Sequence, residues 1–380
     1  MIRVLHVIVG LDVGGAELML SRLVSAHCAS GAYRHEVITL TTVGTIGPKL
    51  QEMGIEVTPL GMRSPLQFPS VLWRLAALIR RRKPDVVQTW MYHSDLLGGL
   101  GARLAGVRNV LWGIRTTDVE SGGTRSTSVV MALCAFLSRT IPREIICAAE
   151  AARDTHVRAG YDAGRMVVVP NGFNVAGLMQ AAANRDAKRR ELGIGADDLV
   201  VGTVGRFDPA KDHRNFVAAA GLAAARHPHV RFLMVGRGLD ESNAELMDWI
   251  AASGAPGRFI LLGQRSDVPD CLAAMDVFCL SSLSEGFPNV IGEAMSVALP
   301  CVSTRVGDAA LLVGDTGVLV AKEDPQALAT GLGQVLGMTQ AARRALGLRA
   351  QARVAAEFTI ERSREKFEAI YQRVTEKGRR

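Results

Sequence analysis

The sequence predicts an α/β protein made of two doubly wound, parallel-sheet domains facing a central cleft. Three observations predict it. Short runs rich in Val and Ile alternate with helical stretches through the first half, the pattern of a parallel sheet covered on both faces. After a charged, alanine-rich interruption the same alternation starts again. The 380 residues are 48% hydrophobic and 21% charged, with 39 glycines and only 5% aromatics. That balance suits helices packed closely over parallel sheets better than an all-β fold.

The elements follow in order. "IRVLHVIVG", "HEVITLT", "IEVTPL", "DVVQTW", "NVLWGIR", "EIICAA" and "MVVVPN" read as buried strands, because each is short, β-branched and bounded by turn residues. Between them, "AELMLSRLVSAHCAS" and "SVLWRLAALIRRRK" read as helices. The second series is "DLVVGTVGRFD", "VRFLMVGRG", "RFILLGQ", "DVFCLSS", "PCVSTRV" and "GVLVA". "AAANRDAKRRELGIGADD" separates the two series and reads as a helix and turn joining them. The expected boundaries are therefore residues 1–170 for an acceptor-binding domain, 171–195 for a connection and 196–358 for a donor-binding domain. A charged helix over 359–380 is expected to pack back toward the first domain. Ligands of such sheets bind beyond the carboxyl ends of the strands, where strand order reverses.

Charge and cysteine content narrow the function. The net charge is +7, and residues 1–170 hold nineteen Lys/Arg against thirteen Asp/Glu. A basic first half points to a polyanionic partner, whether phosphate groups, anionic lipid or nucleic acid, or only to solubility. The six cysteines are scattered without a CxxC, which suits buried thiols in a reducing, cytoplasmic setting and gives no zinc spacing. No apolar run approaches membrane-spanning length.

Three stretches carry chemistry. In "GLDVGGAEL", a strand runs into a helix near Gly15; alone this is a tight turn that needs glycine, and it does not match GxGxxG. In "VGRFDPAKDHRNFV", Arg206 and Lys211 follow a strand, and two cations there suit a diphosphate. In "SEGFPNVIGEAMSVALPCVST", Pro288 fits the first turn of a helix that Pro300 ends. The backbone N–H groups of Phe287, Pro288's neighbour Asn289 and Val290 are then placed to meet an anion. Glu285 before that helix and Glu293 inside it suit hydroxyl groups, a sugar for the first and a ribose for the second.

"EGFPNVIGEAM" carries the E-x7-E motif, and the chain resembles the retaining glycosyltransferases of family 4 with the GT-B fold, two Rossmann-like domains. "GGAE", "PNGFN", "GRFDPAKDH", "VGRG" and "LLGQRSDVPD" occur in the family's order along nearly the whole length. The resemblance implies that Glu285 holds the donor sugar near the reacting carbon and Glu293 the ribose. It implies that Arg206 and Lys211 clamp the diphosphate, and that Phe287, Pro288, Asn289 and Val290 line the donor site with backbone groups. Gly15 would let the first domain approach the phosphates, and His93 matches the family's active-site histidine by position. Many relatives are acidic where Arg305 stands, and Arg305 is assigned no role.

The implied reaction moves a sugar from a UDP- or GDP-sugar to a hydroxyl of a saccharide or polyprenyl-diphosphate-linked saccharide with retention. It needs no cofactor and no metal, and polysaccharide or glycoconjugate synthesis is its expected setting. No nucleic-acid partner is expected. Trp73, Leu75, Leu78 and Ile79 beside Arg80–Lys83 suit either a helix lying on an anionic membrane or a core-packed helix. Two rival readings are a nucleotide-sugar epimerase of the same fold and a non-catalytic two-domain sugar-binding protein.

Overall fold

The computed structural model describes residues 1–28, 31–117 and 125–379. They form two α/β units, Met1–Gly172 with Ile360–Arg380, and Phe173–Thr359. All thirteen strand stretches expected from sequence are strands. The helix expected to reach Ser30 runs Gly15–Cys28, and Ala29 and Ser30 lie outside the described residues.

In the first unit the strands are β1 (Ile2–Ile8), β2 (Tyr33–Thr39), β3 (Glu56–Pro59), β4 (Val86–Trp90), β5 (Val110–Ile114), β6 (Glu144–Cys147) and β7 (Met166–Val168). All are parallel, in the order β3-β2-β1-β4-β5-β6-β7. Chain order therefore reverses between β1 and β4. The run of β-branched and leucine residues in β1 is buried because helices cover both faces of the sheet. The helix Ile360–Arg379 completes this core, adding Phe367, Ile370, Tyr371 and Val374 to a cluster with Leu20, Leu23, Trp90 and Leu111.

Three buried histidines sit in the same core. Trp90 Nε1 donates to His6 Nδ1 at 3.2 Å, which leaves the proton of His6 on Nε2. That nitrogen lies 2.9 Å from His35 Nδ1, and the His27 ring stacks on His35 with centroids 4.8 Å apart.

In the second unit the strands are β8 (Leu199–Val204), β9 (Val230–Val235), β10 (Phe259–Leu261), β11 (Val277–Leu280), β12 (Cys301–Thr304) and β13 (Gly317–Val320). Their order is β10-β9-β8-β11-β12-β13, again all parallel, with the reversal between β8 and β11.

Two expectations are corrected, and one pair of alternatives is decided. The stretch 171–195 is not a free connection, because from Phe173 onward it is part of the second unit. Its charges are anchors: Arg185 Nη2 and Arg189 Nη1 bind the two oxygens of Asp276 at 2.6 and 3.1 Å, and Lys188 binds Asp267 at 2.7 Å. Second, Pro288 is the cap before the helix Asn289–Ser296 rather than part of its first turn. Pro300 does not end that helix. It stops at Ser296, and Ala298 turns the chain with φ +60°. Of the two readings of the helix Phe68–Arg82, core packing is met: Val71, Leu75, Ala76 and Ile79 are buried, and only Trp73 of its large apolar groups is well exposed.

Candidate functional site

Two loops meet where strand order reverses in the second sheet. One leaves β8 and carries Arg206 and Lys211. The other leaves β11 and carries Ser282 and Glu285. Because β8 and β11 are neighbours, residues 74 positions apart in sequence come into contact. Lys211 Nζ donates to Glu285 Oε1 at 2.6 Å, and Ser282 Oγ donates to the same oxygen at 2.7 Å. The Glu285 side chain is 11% exposed, so the ion pair is largely shielded from water.

The backbone around this pair is held from several sides. Ser281 Oγ donates to the Lys211 carbonyl at 2.8 Å, and Leu283 N donates to the Ala210 carbonyl at 2.8 Å. Thr304 Oγ1, at the end of β12, donates to the Ser282 carbonyl at 2.7 Å. Gly307, with φ +49°, lies against Glu285 itself. A Cβ there would stand 2.2 Å from the Glu285 carbonyl oxygen, so any other residue would push the loop away. Gly236 plays the same part for the other loop, since a Cβ would meet the Gly205 carbonyl oxygen at 1.8 Å.

Arg206 is 57% exposed and is held at Nε by Asp208 Oδ2 at 2.8 Å. Burial alone would raise the Asp208 carboxyl, but the Ala210 N–H and the Arg206 guanidinium outweigh it and hold it below its ordinary value. His213 Nε2 lies 3.0 Å from the Arg206 carbonyl, and its ring stacks on Phe207. Burial keeps His213 neutral at neutral pH, so Nε2 carries the proton and donates. Asp208, His213, Ser282, Gly236 and Gly307 went unmarked in the sequence. The only signals were an Asx turn at Asp208, which accepts from Ala210 N, and glycines just beyond strand ends.

The helix Asn289–Ser296 begins two residues beyond Phe287. The Phe287 ring points inward, 6.2 Å from Phe173 and 6.0 Å from Phe358, so this residue can offer only its backbone to a ligand. Pro288 is buried, while Asn289, Val290 and Glu293 are half-buried. Glu293 is the fifth residue of the helix. The unshared backbone N–H groups and positive dipole end of such a helix attract anions.

In the first unit, Gly15 and His93 flank the other reversal point. Gly15 opens the helix after β1, and His93 is the second residue of the helix Tyr92–Leu104 after β4. Burial lowers the His93 imidazole below its ordinary value, leaving it neutral at pH 7. Met91, just before it, takes φ +71°, a strained conformation for a side chain of its kind. Arg115 follows β5 and was passed over in the sequence as the tail of a strand. Its guanidinium lies 4.8 Å from the Trp90 ring and 5.6 Å from Phe367, and Nη1 donates to Asn171 Oδ1 at 2.8 Å. Burial pushes it down to about 10, so it stays charged at neutral pH. Arg305 is exposed, and nothing assigns it a role.

Among the described residues, no group of three His, Cys, Asp or Glu side chains could hold a metal ion, and no helix is long and apolar enough to cross a membrane.

The family description "Glycosyltransferase Family 4" matches residues 13–176, and "Glycosyl transferases group 1" matches residues 198–338. The chain is 31% identical to the UDP-Gal:alpha-D-GlcNAc-diphosphoundecaprenol alpha-1,3-galactosyltransferase of Escherichia coli over 61% of its own length and 60% of that protein's. It is 27% identical to the D-inositol 3-phosphate glycosyltransferase of Salinispora tropica, over 93% of this chain and 79% of the relative. Among solved structures, Anabaena Alr3699/HepE in complex with UDP superposes with a TM-score of 0.85 over 97% of this chain and 99% of that one, at 22% identity. At that identity the likeness speaks for the fold.

Proposed function

From the chain's membership of the GT-B glycosyltransferases, we propose that it moves a sugar from a nucleotide-diphosphate sugar to a hydroxyl of a saccharide or lipid-linked saccharide, with retention and without a metal. The observation that carries this reading is the contact of Lys211 with Glu285 at the strand-order reversal, beside the start of the helix Asn289–Ser296. A cation, a carboxylate and a helix N-terminus converge there. That set suits a ligand with both a diphosphate and hydroxyl groups. A UDP donor is favoured over GDP by the UDP named for the galactosyltransferase and for the HepE structure.

Each group then has a part. Lys211 and Arg206 face the negative charge that builds on the leaving diphosphate as the sugar–oxygen bond breaks. The N–H groups at the start of the helix Asn289–Ser296 add to that stabilisation without moving. Glu285 orients the sugar hydroxyls beside the reacting carbon, and Glu293 takes the ribose hydroxyls. The acceptor hydroxyl attacks from the face the diphosphate leaves, and its proton goes to the departing phosphate oxygen. Atoms balance without a strong protein base. His93, neutral at pH 7, can accept a hydrogen bond from the acceptor. A polyprenyl-diphosphate-linked saccharide as acceptor, and with it work at a membrane face in polysaccharide or glycoconjugate synthesis, is the reading suggested by the galactosyltransferase relative.

The test is a panel of UDP- and GDP-sugars scored by protection against thermal unfolding. The best donor is then incubated with acceptor, and the product's anomeric configuration is read by NMR. A protecting donor and a product of unchanged configuration are expected. No protection by any nucleotide sugar, or an inverted product, overturns the reading.

A further inference from the structure

The first sheet has a second end. Gly15, His93 and Arg115 lie where its strands finish. Where the strands begin, the segments entering β1, β4, β5 and β6 surround a cleft of about 700 Å3. Arg80 and Lys83 reach it from the end of the helix Phe68–Arg82, Arg108 from the segment before β5, and Arg143 from the residue before β6. Asp85 is the one acidic residue of this lining. Its Oδ2 is engaged by the Arg3 backbone N–H at 2.8 Å.

An ordinary basic surface intersperses its cations with carboxylates. Just outside this lining, Arg82 does so, paired with both Glu36 and Glu56. Among the described residues, none of Arg80, Lys83, Arg108 and Arg143 has such a partner. Crowding is also evident at Arg103 next door. Burial first, and then the charges of Arg143, Arg108 and Arg165, push its guanidinium below its ordinary value. The backbone adds an independent observation. Lys83 takes φ +47° and ψ +57° at the position where a helix usually ends on glycine. A lysine stands at a site whose conformation favours having no side chain, and it is one of the residues that line the cleft.

We propose that this cleft is a second anion site, separate from the donor site, that binds a phosphate-bearing group. Several uncompensated cations around one cavity suit a ligand of charge two or more, and guanidinium groups match phosphate oxygens in fork geometry. The cavity is far larger than one ion, so it has room for a diphosphate with part of the group it esterifies. The source is either a lipid headgroup or a free phosphate compound. The proposal does not depend on the donor-site reading, because no residue is shared.

The experiment uses the full chain saturated with UDP, so that the catalytic site is filled. Inorganic pyrophosphate is titrated by calorimetry, and vesicles of phosphatidylcholine with or without phosphatidylglycerol are sedimented with the protein. The variants are Arg108→Ser with Arg143→Ser, and Lys83→Gly. Pyrophosphate binding, or sedimentation with the anionic vesicles only, is expected for the unaltered protein. It should fall at least tenfold in the double variant while UDP affinity holds. Lys83→Gly should lower the same binding while raising or preserving the thermal midpoint, because the strain goes with the side chain. A merely structural lysine would leave binding unchanged. Pyrophosphate binding without vesicle binding assigns a free phosphate compound, and vesicle binding alone assigns a lipid headgroup. Absence of both, or binding that the double variant retains, overturns the proposal.

Discussion

The two units share one architecture and treat polar groups differently. In the second, the side chains at the strand-order reversal are bound to one another: Lys211 to Glu285, Arg206 to Asp208, His213 to the Arg206 backbone. In the first, Arg115 and the histidines of the sheet are bound into the core. Arg115 lies against Trp90 and Phe367, and three histidines sit among aromatic rings. The second unit holds a preassembled charge set whose partners a ligand must displace or share. Near its own reversal the first holds neutral or shielded groups, and the cations that line its cleft lie at the opposite end of the sheet. A diphosphate needs the former arrangement, and a sugar hydroxyl is served by the latter.

Breaking the pair in the second unit should have the largest effect. Glu285→Gln keeps the shape and removes the charge, and kcat should fall about a hundredfold or more. UDP affinity, measured by calorimetry, should change little or even rise, because Lys211 is released from its carboxylate. Near-normal turnover would mean that Glu285 only holds Lys211. Next in size, Glu293→Gln should weaken UDP and the UDP-sugar alike, by roughly 1.5–3 kcal/mol for a lost charge-assisted hydrogen bond. A kcat effect with unchanged nucleotide binding would contradict the ribose role.

Acid should separate the units. Burial first, and then Arg364, lowers His27 to about 4, outweighing the Glu368 carboxylate 3.3 Å away. Burial and then His27 lower His35 to about 3, and His6 is also held well below its usual value. Tyr33, Tyr371, Glu368 and Arg364 are the other titratable groups around His27. A depressed folded-state value means that the unfolded chain takes up protons first as pH falls. Stability is full above about 6.5 and is lost progressively down to about 4 for His27, at a cost of roughly 3 kcal/mol. Fluorescence of the buried Trp90 and Trp112 in the first unit should therefore change at higher pH than that of Trp249 in the second. Coincident transitions would show that the histidines do not set acid stability. The smallest expected effect is none: on the proposed reading Arg206, Lys211 and the helix start supply the positive charge, and excess EDTA should leave transfer unchanged. Loss with EDTA and recovery with magnesium would end that reading.

The strands were legible because burial on both faces forces unbroken Val/Ile/Leu runs, as in β1 and β8. Glu285, Arg206 and Lys211 stood out because short loops hold them beside glycine and proline, and Glu293 because it follows Glu285 at a fixed spacing inside the next helix. What was not legible depends on distant pairing. Nothing local tells that Arg185, Lys188 and Arg189 would meet Asp276 and Asp267, so a charged segment looked like a connection. The Arg108 and Arg143 cleft is likewise assembled from separate strand entrances. Arg115 was hidden for another reason, since one arginine after a strand has no distinguishing neighbour.

The helix Ile360–Arg379 carries a consequence for how the molecule is made. Phe367, Ile370, Tyr371 and Val374 fill the core of the first unit, and Tyr371 Oη donates to the Gln88 side chain. The ribosome produces them only after the whole second unit. Chain synthesis therefore delivers a first unit with an open apolar side, exposing Leu20, Leu23 and Trp90 to chaperones or to other nascent chains until this helix has been made. The unit that begins first is finished last.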